Sequence, residues 1–426
     1  MLAATVPEAL QTSFRALRHR NFRLYWGGQL ISLIGTWMQS VAQGWLMHRL
    51  TSSPLMLGLL GFSQFLPVML LSLWAGAIID AIDKRRLLML TQTAFLLQAL
   101  ALAILVTTGI IRPWMLLSLA LMFGIVNAFD LPGRQSFAVE MVGREDLSNA
   151  IALNSAAFNT ARVVGPALAG VLLAVVGEAG CFWVNALSYV AVLVGLFRME
   201  MAVRRSVEVT PRRALDTTLE GIRYARGVEP IRNLLVLLGF TAGLGFQYMI
   251  LLPVYAREIL HAGPEGYGLL VSAFGLGSLV SAVSMTQRLG RWAMRRNLLT
   301  GLTAAAVGMG VFAWSQAFPL SLAMGFLAGY GLILYVATTN TLIQITTDDR
   351  FRGRVMSLYT LMFVGTAPIG ALVSGSIAQR FGAPVATTFS AAVLLGGALW
   401  VYRRLRVLAA REAERAPIAA APEGMA

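Results

Sequence analysis

The chain is poor in cysteine, histidine, lysine and acid. Its 426 residues include one Cys, three His, a single Lys (Lys84), and 20 Asp and Glu against 34 Lys and Arg. Cys181 alone cannot close an internal disulfide, so no disulfide framework is expected, and its small side chain reads as packing. His19, His48 and His261 are scattered near the ends of apolar stretches, which argues against any metal site. No Gly-x-x-x-x-Gly-Lys run is present, so ATP is not the expected energy source. No Ser/His/Asp grouping suggests hydrolysis, and neither an enzyme nor a cofactor is expected. Alternation of period two is missing too, which leaves little signal for strands.

What the chain does have is apolar length. It is 57% hydrophobic and 13% charged, too little charge for a compact soluble fold. Twelve apolar stretches fall at about 24–47, 55–79, 87–111, 114–133, 151–176, 180–198, 233–256, 266–287, 298–317, 319–345, 355–378 and 384–402. Each is near the ~20 helical residues that cross a bilayer. Lys and Arg are sorted between them: 29 lie on one set of alternate connections, four on the other, and Arg162 alone lies inside a stretch. Retention of positive charge in the cytoplasm during insertion produces this parity. The expectation is an all-α membrane protein with twelve transmembrane helices, multi-pass in a bacterial cytoplasmic (inner) membrane, surrounded by lipid, with both termini cytoplasmic. The net charge of +14 is then loop charge, and nucleic acid is not an expected partner.

Residues 1–23 form a cytoplasmic segment and do not read as a cleaved signal. Leu10, Phe14 and Leu17 recur at helical spacing among Arg15, Arg18 and Arg20, as in a short interfacial helix. Residues 403–426 read as a cytoplasmic tail, loose beyond 409. Between them, residues 24–198 and 233–402 make two six-helix bundles joined by a polar linker, 199–232. The halves echo each other: Asp80–Arg86 corresponds to Gln287–Arg296, Arg144-Glu-Asp to Asp348-Asp-Arg, and Gly165-Pro166 to Ala367-Pro368. A duplicated unit of this kind puts a cavity between two pseudo-symmetric bundles that can rock.

The segment Gly76-Ala-Ile-Ile-Asp80-Ala-Ile-Asp83-Lys84-Arg85-Arg86 resembles the loop signature of the major facilitator superfamily, with Ala81 and Asp83 departing from it. The resemblance implies a gating role for Gly76, Asp80, Lys84 and Arg85, through a charge relay and a helix-end contact. Arg288, Gly290 and Arg291 would be the second-half counterpart, which lacks the Asp. Asp130-Leu-Pro132-Gly-Arg134, Arg144 to Asn154 and Ala161-Arg162-Val-Val-Gly165-Pro166-Ala-Leu-Ala-Gly170 look like the branch of enterobactin exporters and macrolide-type efflux proteins, the transmembrane secretion effectors. Gly165, Pro166 and Gly170 resemble a fifth-helix motif of proton-coupled exporters. Physically, the glycines permit close helix approach and the proline allows a bend.

Arg162 stands out because a mid-bilayer charge costs at least ~2.5–3.5 kcal/mol. Two arrangements are open for Asp130: an ion pair with Arg162 that couples protons to the ligand, or a pair with Arg134 one turn on. Cavity lining is expected from the set Gln39, Gln43, Asn127, Asn159, Arg162, Gln247, Tyr248, Tyr335, Asn340 and Tyr359, although each polar side chain taken alone reads first as an interhelical hydrogen bond. An aromatic and amide surface suits a small amphipathic organic compound. The expected function is export of such a compound, siderophore or drug-like, by proton antiport from a monomer. A lysophospholipid or lipid flippase of the same fold is the alternative. An integral-membrane enzyme acting on lipid-linked substrates is a distant one, since the external loops are short.

Overall fold

The computed structural model describes residues 14–143, 145–200, 211–285 and 291–415, and all regular structure among them is helical. After a short turn at Arg15–Arg18, the first half comprises α1 (Arg20–Thr51), α2 (Pro54–Ala81), α3 (Lys84–Thr107), α4 (Pro113–Val142), α5 (Leu147–Val175) and α6 (Gly177–Phe197). A linker helix, Pro211–Gly227, leads to the second half. This comprises α7 (Glu229–Ile259), α8 (Gly263–Met285), α9 (Arg291–Trp314), α10 (Phe318–Thr346), α11 (Arg352–Phe381) and α12 (Ala383–Arg415).

Eleven of these helices are long and apolar enough to cross a membrane. The other, α1, has ample length at 32 residues. It is more polar because its Gln29, Ser32, Gln39 and Gln43 side chains are buried against neighbouring helices rather than presented to lipid. Outward faces carry exposed Leu90, Leu97, Val283, Val307 and Leu399, the apolar belt that a bilayer covers.

Several boundaries differ from those expected. Pro132 and Gly133 do not end α4, which runs on to Val142 and so encloses Asp130 and Arg134. Membrane helices tolerate such breakers because neighbours satisfy the freed backbone groups. The seventh span starts earlier and contains two π-helical segments, Thr241–Gly245 and Tyr255–Ile259. The eleventh is interrupted by a turn at Gly365–Thr366, just before Pro368. The twelfth continues as helix to Arg415, into the region expected to be loose.

Capping explains part of the loop between α2 and α3. Asp83 stands where the superfamily signature has Gly, and its carboxylate accepts the Arg86 backbone N–H at 2.8 Å as N-cap of α3. Arg85 donates to the Leu196 and Phe197 carbonyls at 2.8 and 2.9 Å, closing the C-terminus of α6. The helix-end contact is therefore made within one half. The surroundings of Gly76 and the side chain of Asp80 lie outside the described residues, as do Arg288 and Gly290 and the side chain of Arg291.

The halves meet along two seams, α5 with α8 and α2 with α11. Both use the same construction. A Cβ on Gly268 would lie 2.6 Å from the Pro166 carbonyl oxygen and 2.7 Å from Gly170 Cα. A Cβ on Gly58 would lie 2.6 Å from the Ala371 carbonyl oxygen and 3.0 Å from Gly375 Cα. The two seams are thus related by shifts of 210 residues for α2 and α8 and 205 for α5 and α11. This registers Gly165 on Gly370, three residues away from the Gly165-Pro166 to Ala367-Pro368 match read from the sequence.

Candidate functional site: a cleft floored by Arg162

Both seams occupy the end of the bundle away from the linker. They run through 163–170 against 264–275, and through 54–61 against 371–375. Two polar ties add to them. Gln379 Oε1 accepts from Ser53 Oγ at 2.6 Å and from the Leu55 backbone N–H at 3.3 Å. His48 Nε2, on a side chain only 1% exposed, lies 2.9 Å from Glu258 Oε1. Beside this contact is a cavity of about 350 Å³ lined by Trp45, Arg49, Arg257, His261 and Gly263. This far end is closed.

Toward the linker end α5 turns a stripe of small and polar side chains away from its own bundle. Ser148, Ala152 and Ser155 are exposed, and Asn159 and Arg162 are partly buried. These positions share one helical face. On α11 the residues 205 further on, Gly353, Ser357, Thr360, Val364 and Ala367, show the same sequence of exposure. Two equivalent faces of small side chains, polar at Ser148, Ser155, Asn159, Arg162, Ser357 and Thr360, are left uncovered, and they define a cleft between the halves because a lipid-facing stripe would carry large apolar residues.

Arg162 lies at the floor of this cleft, where the α5–α8 seam begins. It is about 22 Å from one end of α5 and about 20 Å from the other. Its guanidinium sits 5.9 Å from the centre of the Trp37 ring. It also lies beside the Tyr248 hydroxyl on α7, so it reaches the other half. Among the described residues it has no ion pair. Around it, Trp37 meets Phe158 edge-on at 5.8 Å, and Tyr248 stacks on Phe274 at 4.1 Å.

Of the two arrangements open for Asp130, the pair with Arg134 is the one formed. Asp130 is 1% exposed; one oxygen accepts from Thr91 Oγ1 at 2.6 Å and Gln92 Nε2 at 2.8 Å, and the other contacts Arg134. Both oxygens are occupied inside the first bundle, so the expected pair with Arg162 is absent.

The other expected lining residues divide. Gln39 is 1% exposed and donates to Gln98 at 3.0 Å while accepting from Asn185 at 2.8 Å, an amide chain joining α1, α3 and α6. Tyr335 is fully buried in the second bundle and bonded to Thr241 at 3.0 Å. These two are structural. Gln247 is buried, and its amide closes the first π segment by donating to the Ala242 carbonyl at 3.2 Å. Gln43 is buried with no partner for Nε2. Asn127 is partly buried on α4, and Asn159 donates to the Ser155 carbonyl at 2.8 Å. Asn340 accepts from Gln344 at 2.5 Å and faces the Tyr359 hydroxyl, which also approaches the Val336 carbonyl at 3.4 Å. Gly165 approaches Trp37 and Ile34 closely, as the fifth-helix motif suggested. The His48–Glu258 contact escaped the sequence reading; two titratable residues near span ends gave its only trace.

Twelve helices in two related halves, with a cleft on the axis between them, define a major facilitator transporter. The chain belongs to the transmembrane secretion effector family, whose model matches residues 11–425. It is 24% identical over 387 residues to the staphyloferrin A transporter of Staphylococcus aureus, covering 86% of this chain and 91% of that one. It is 26% identical to the multidrug efflux pump Tap of Mycolicibacterium fortuitum, covering 82% and 87%. Among solved structures it resembles the nucleoside transporter NupG (D323A mutant) with a TM-score of 0.70 at 12% identity, over 92% of this chain and 99% of that one. It also resembles a bacterial homologue of the human lysosomal transporter Spinster, in an inward-facing, unoccupied state. There the TM-score is 0.68 at 14% identity, over 93% and 97%.

Proposed function

We propose that this transporter exports an amphipathic organic compound from the cytoplasm, driven by protons moving inward. The observation that carries the reading is the cleft, open toward the linker end and closed at the far end by noncovalent seams. In the sequence, 29 of the 34 basic residues fall on the connections that share the linker's parity, and positive charge is retained on the cytoplasmic side. The cleft then faces the cytoplasm, and rocking about the axis exposes it to the other side. The efflux function named for Tap supports outward movement. The N-terminal half holds the intramembrane charges, Arg162 and the Asp130–Arg134 pair, where a proton could bias the exchange.

The test is transport in inside-out vesicles loaded with an acidic lumen, using a panel of anionic, neutral and cationic amphipathic dyes. At least one dye should accumulate, and a protonophore should abolish the accumulation. Accumulation only in right-side-out vesicles would overturn the direction, and insensitivity to the pH gradient would overturn the coupling.

A further inference from the structure

We infer that the compound carried in this cleft is an anion, with its carboxylate or a similar acidic group seated on Arg162. The inference rests on the transporter reading and adds a substrate class to it.

Arg162 is partly open to the cleft and its described partners, Trp37 and Tyr248, are both neutral. They orient the guanidinium without cancelling its charge. The buried carboxylate of Asp130 is committed to Thr91, Gln92 and Arg134 and cannot serve instead.

The second half shows that the fold itself does not require the charge. Its equivalent position is Ala367, yet the same corner is built there, with Gly370 packed on Gly243 where Gly165 packs on Ile34. One half keeps a costly cation in a place where the other manages with a methyl group. A guanidinium presents a planar fork of donors that matches a carboxylate in bidentate fashion. Phe158, 46% exposed, and the Trp37 ring beside it offer an apolar surface for the rest of the molecule. A permanent cation would meet the like charge of Arg162 at the cleft floor.

The experiment uses the full chain in nanodiscs and two dyes with related rings, carboxyfluorescein as the anion and rhodamine 6G as the cation. Binding is read by fluorescence anisotropy. Wild type should prefer carboxyfluorescein. Arg162→Gln should weaken it by at least about tenfold, the loss expected for a charge-assisted hydrogen bond. Arg162→Lys should lose less, and neither variant should weaken rhodamine 6G. Thermal unfolding of each variant confirms that it is folded. Equal loss of both dyes in Arg162→Gln, a wild-type preference for the cation, or no binding of the anion overturns the inference. The two readings fail separately. Vesicle transport of a cationic dye that survives Arg162→Gln would leave export standing and remove the anion site. Arg162-dependent binding without any transport would do the reverse.

Discussion

The two halves of this protein share a skeleton and differ in chemistry. Their seams superpose in register: Gly58 and Gly268 approach helix backbones in the same way, and so do Gly124 and Gly329. The last pair fixes α4 against α10 at a shift of 205 residues, which sets Asp130 and Arg134 opposite Tyr335 and Thr339. The first half therefore carries a buried ion pair where the second carries a hydroxyl bonded to Thr241, and Arg162 where the second has Ala367. The second half instead carries the irregular backbone, two π segments in α7 and the turn in α11. Such segments collect at functional sites. The halves share the contacts that close the bundle, while buried charge lies in one and irregular helix in the other.

The sharpest way to break this comparison is at the buried pair. Asp130→Ala leaves Arg134 without its carboxylate in the bundle and should cost about 3–5 kcal/mol. The equivalent Tyr335→Phe removes one neutral hydrogen bond and should cost about 1 kcal/mol. Thermal unfolding of purified protein measures both. Equal losses would show that the ion pair is no more than a substitute for the hydroxyl.

A smaller effect tests the likeness rather than the difference. Gly58→Val and Gly268→Val each push side-chain atoms into a carbonyl of the facing helix, with an overpacking cost of about 1–3 kcal/mol. Both should hold the far end apart and slow transport by similar factors, which dye flux in vesicles can compare. A defect confined to one variant would mean that the seams are not equivalent in the working cycle.

The smallest effect lies at the linker end. Asp146 sits 2.9 Å from His19 and 3.3 Å from Arg15. The His19 hydrogen bond, opposed by desolvation and aided by the Arg15, His19 and Arg18 charges, holds its carboxyl below the ordinary carboxylate range. A depressed acid stabilises the fold above its unfolded-state value, about pH 4, and the contribution disappears as pH falls through the folded-state value. Asp146→Asn should lower the unfolding temperature slightly at pH 7, with a narrowing gap to wild type in acid. A gap that did not narrow as the pH is lowered would assign the loss to packing.

Much of the architecture was legible in the sequence because bilayer insertion leaves crude marks. Apolar length gives the spans, and arginine parity gives their alternation. Arg162 was legible for the same reason: a lone charge at mid-span is expensive, so its presence demands a partner or a vacancy. Register was not legible. Proline matched to proline is an attractive sequence alignment, but the helices are registered by which backbone faces a glycine, as Gly165 and Gly370 show. Nor could the sequence say which way an amide points. Gln39 and Gln43 lie one turn apart, yet Gln39 is consumed by Gln98 and Asn185 while Gln43 keeps an unbonded Nε2. The pair chosen by Asp130 depended on α4 continuing past Pro132, which local propensity argues against.

The far-end closure has one more consequence. Where Gly58 meets Gly375 and Gly268 meets Gly170 the helices touch through bare backbone, so parting them there empties no side-chain socket. Elsewhere at this end side chains do cross between the halves: Trp45 stacks on Tyr267 at 5.8 Å, Ile250 lies against Gly61, Ser53 and Leu55 donate to Gln379, and His48 meets Glu258. Along the two glycine seams the joint can part and re-form without rotamer changes, which leaves Trp45, Tyr267 and Ile250 as the side chains that must slide past a neighbour at each turnover.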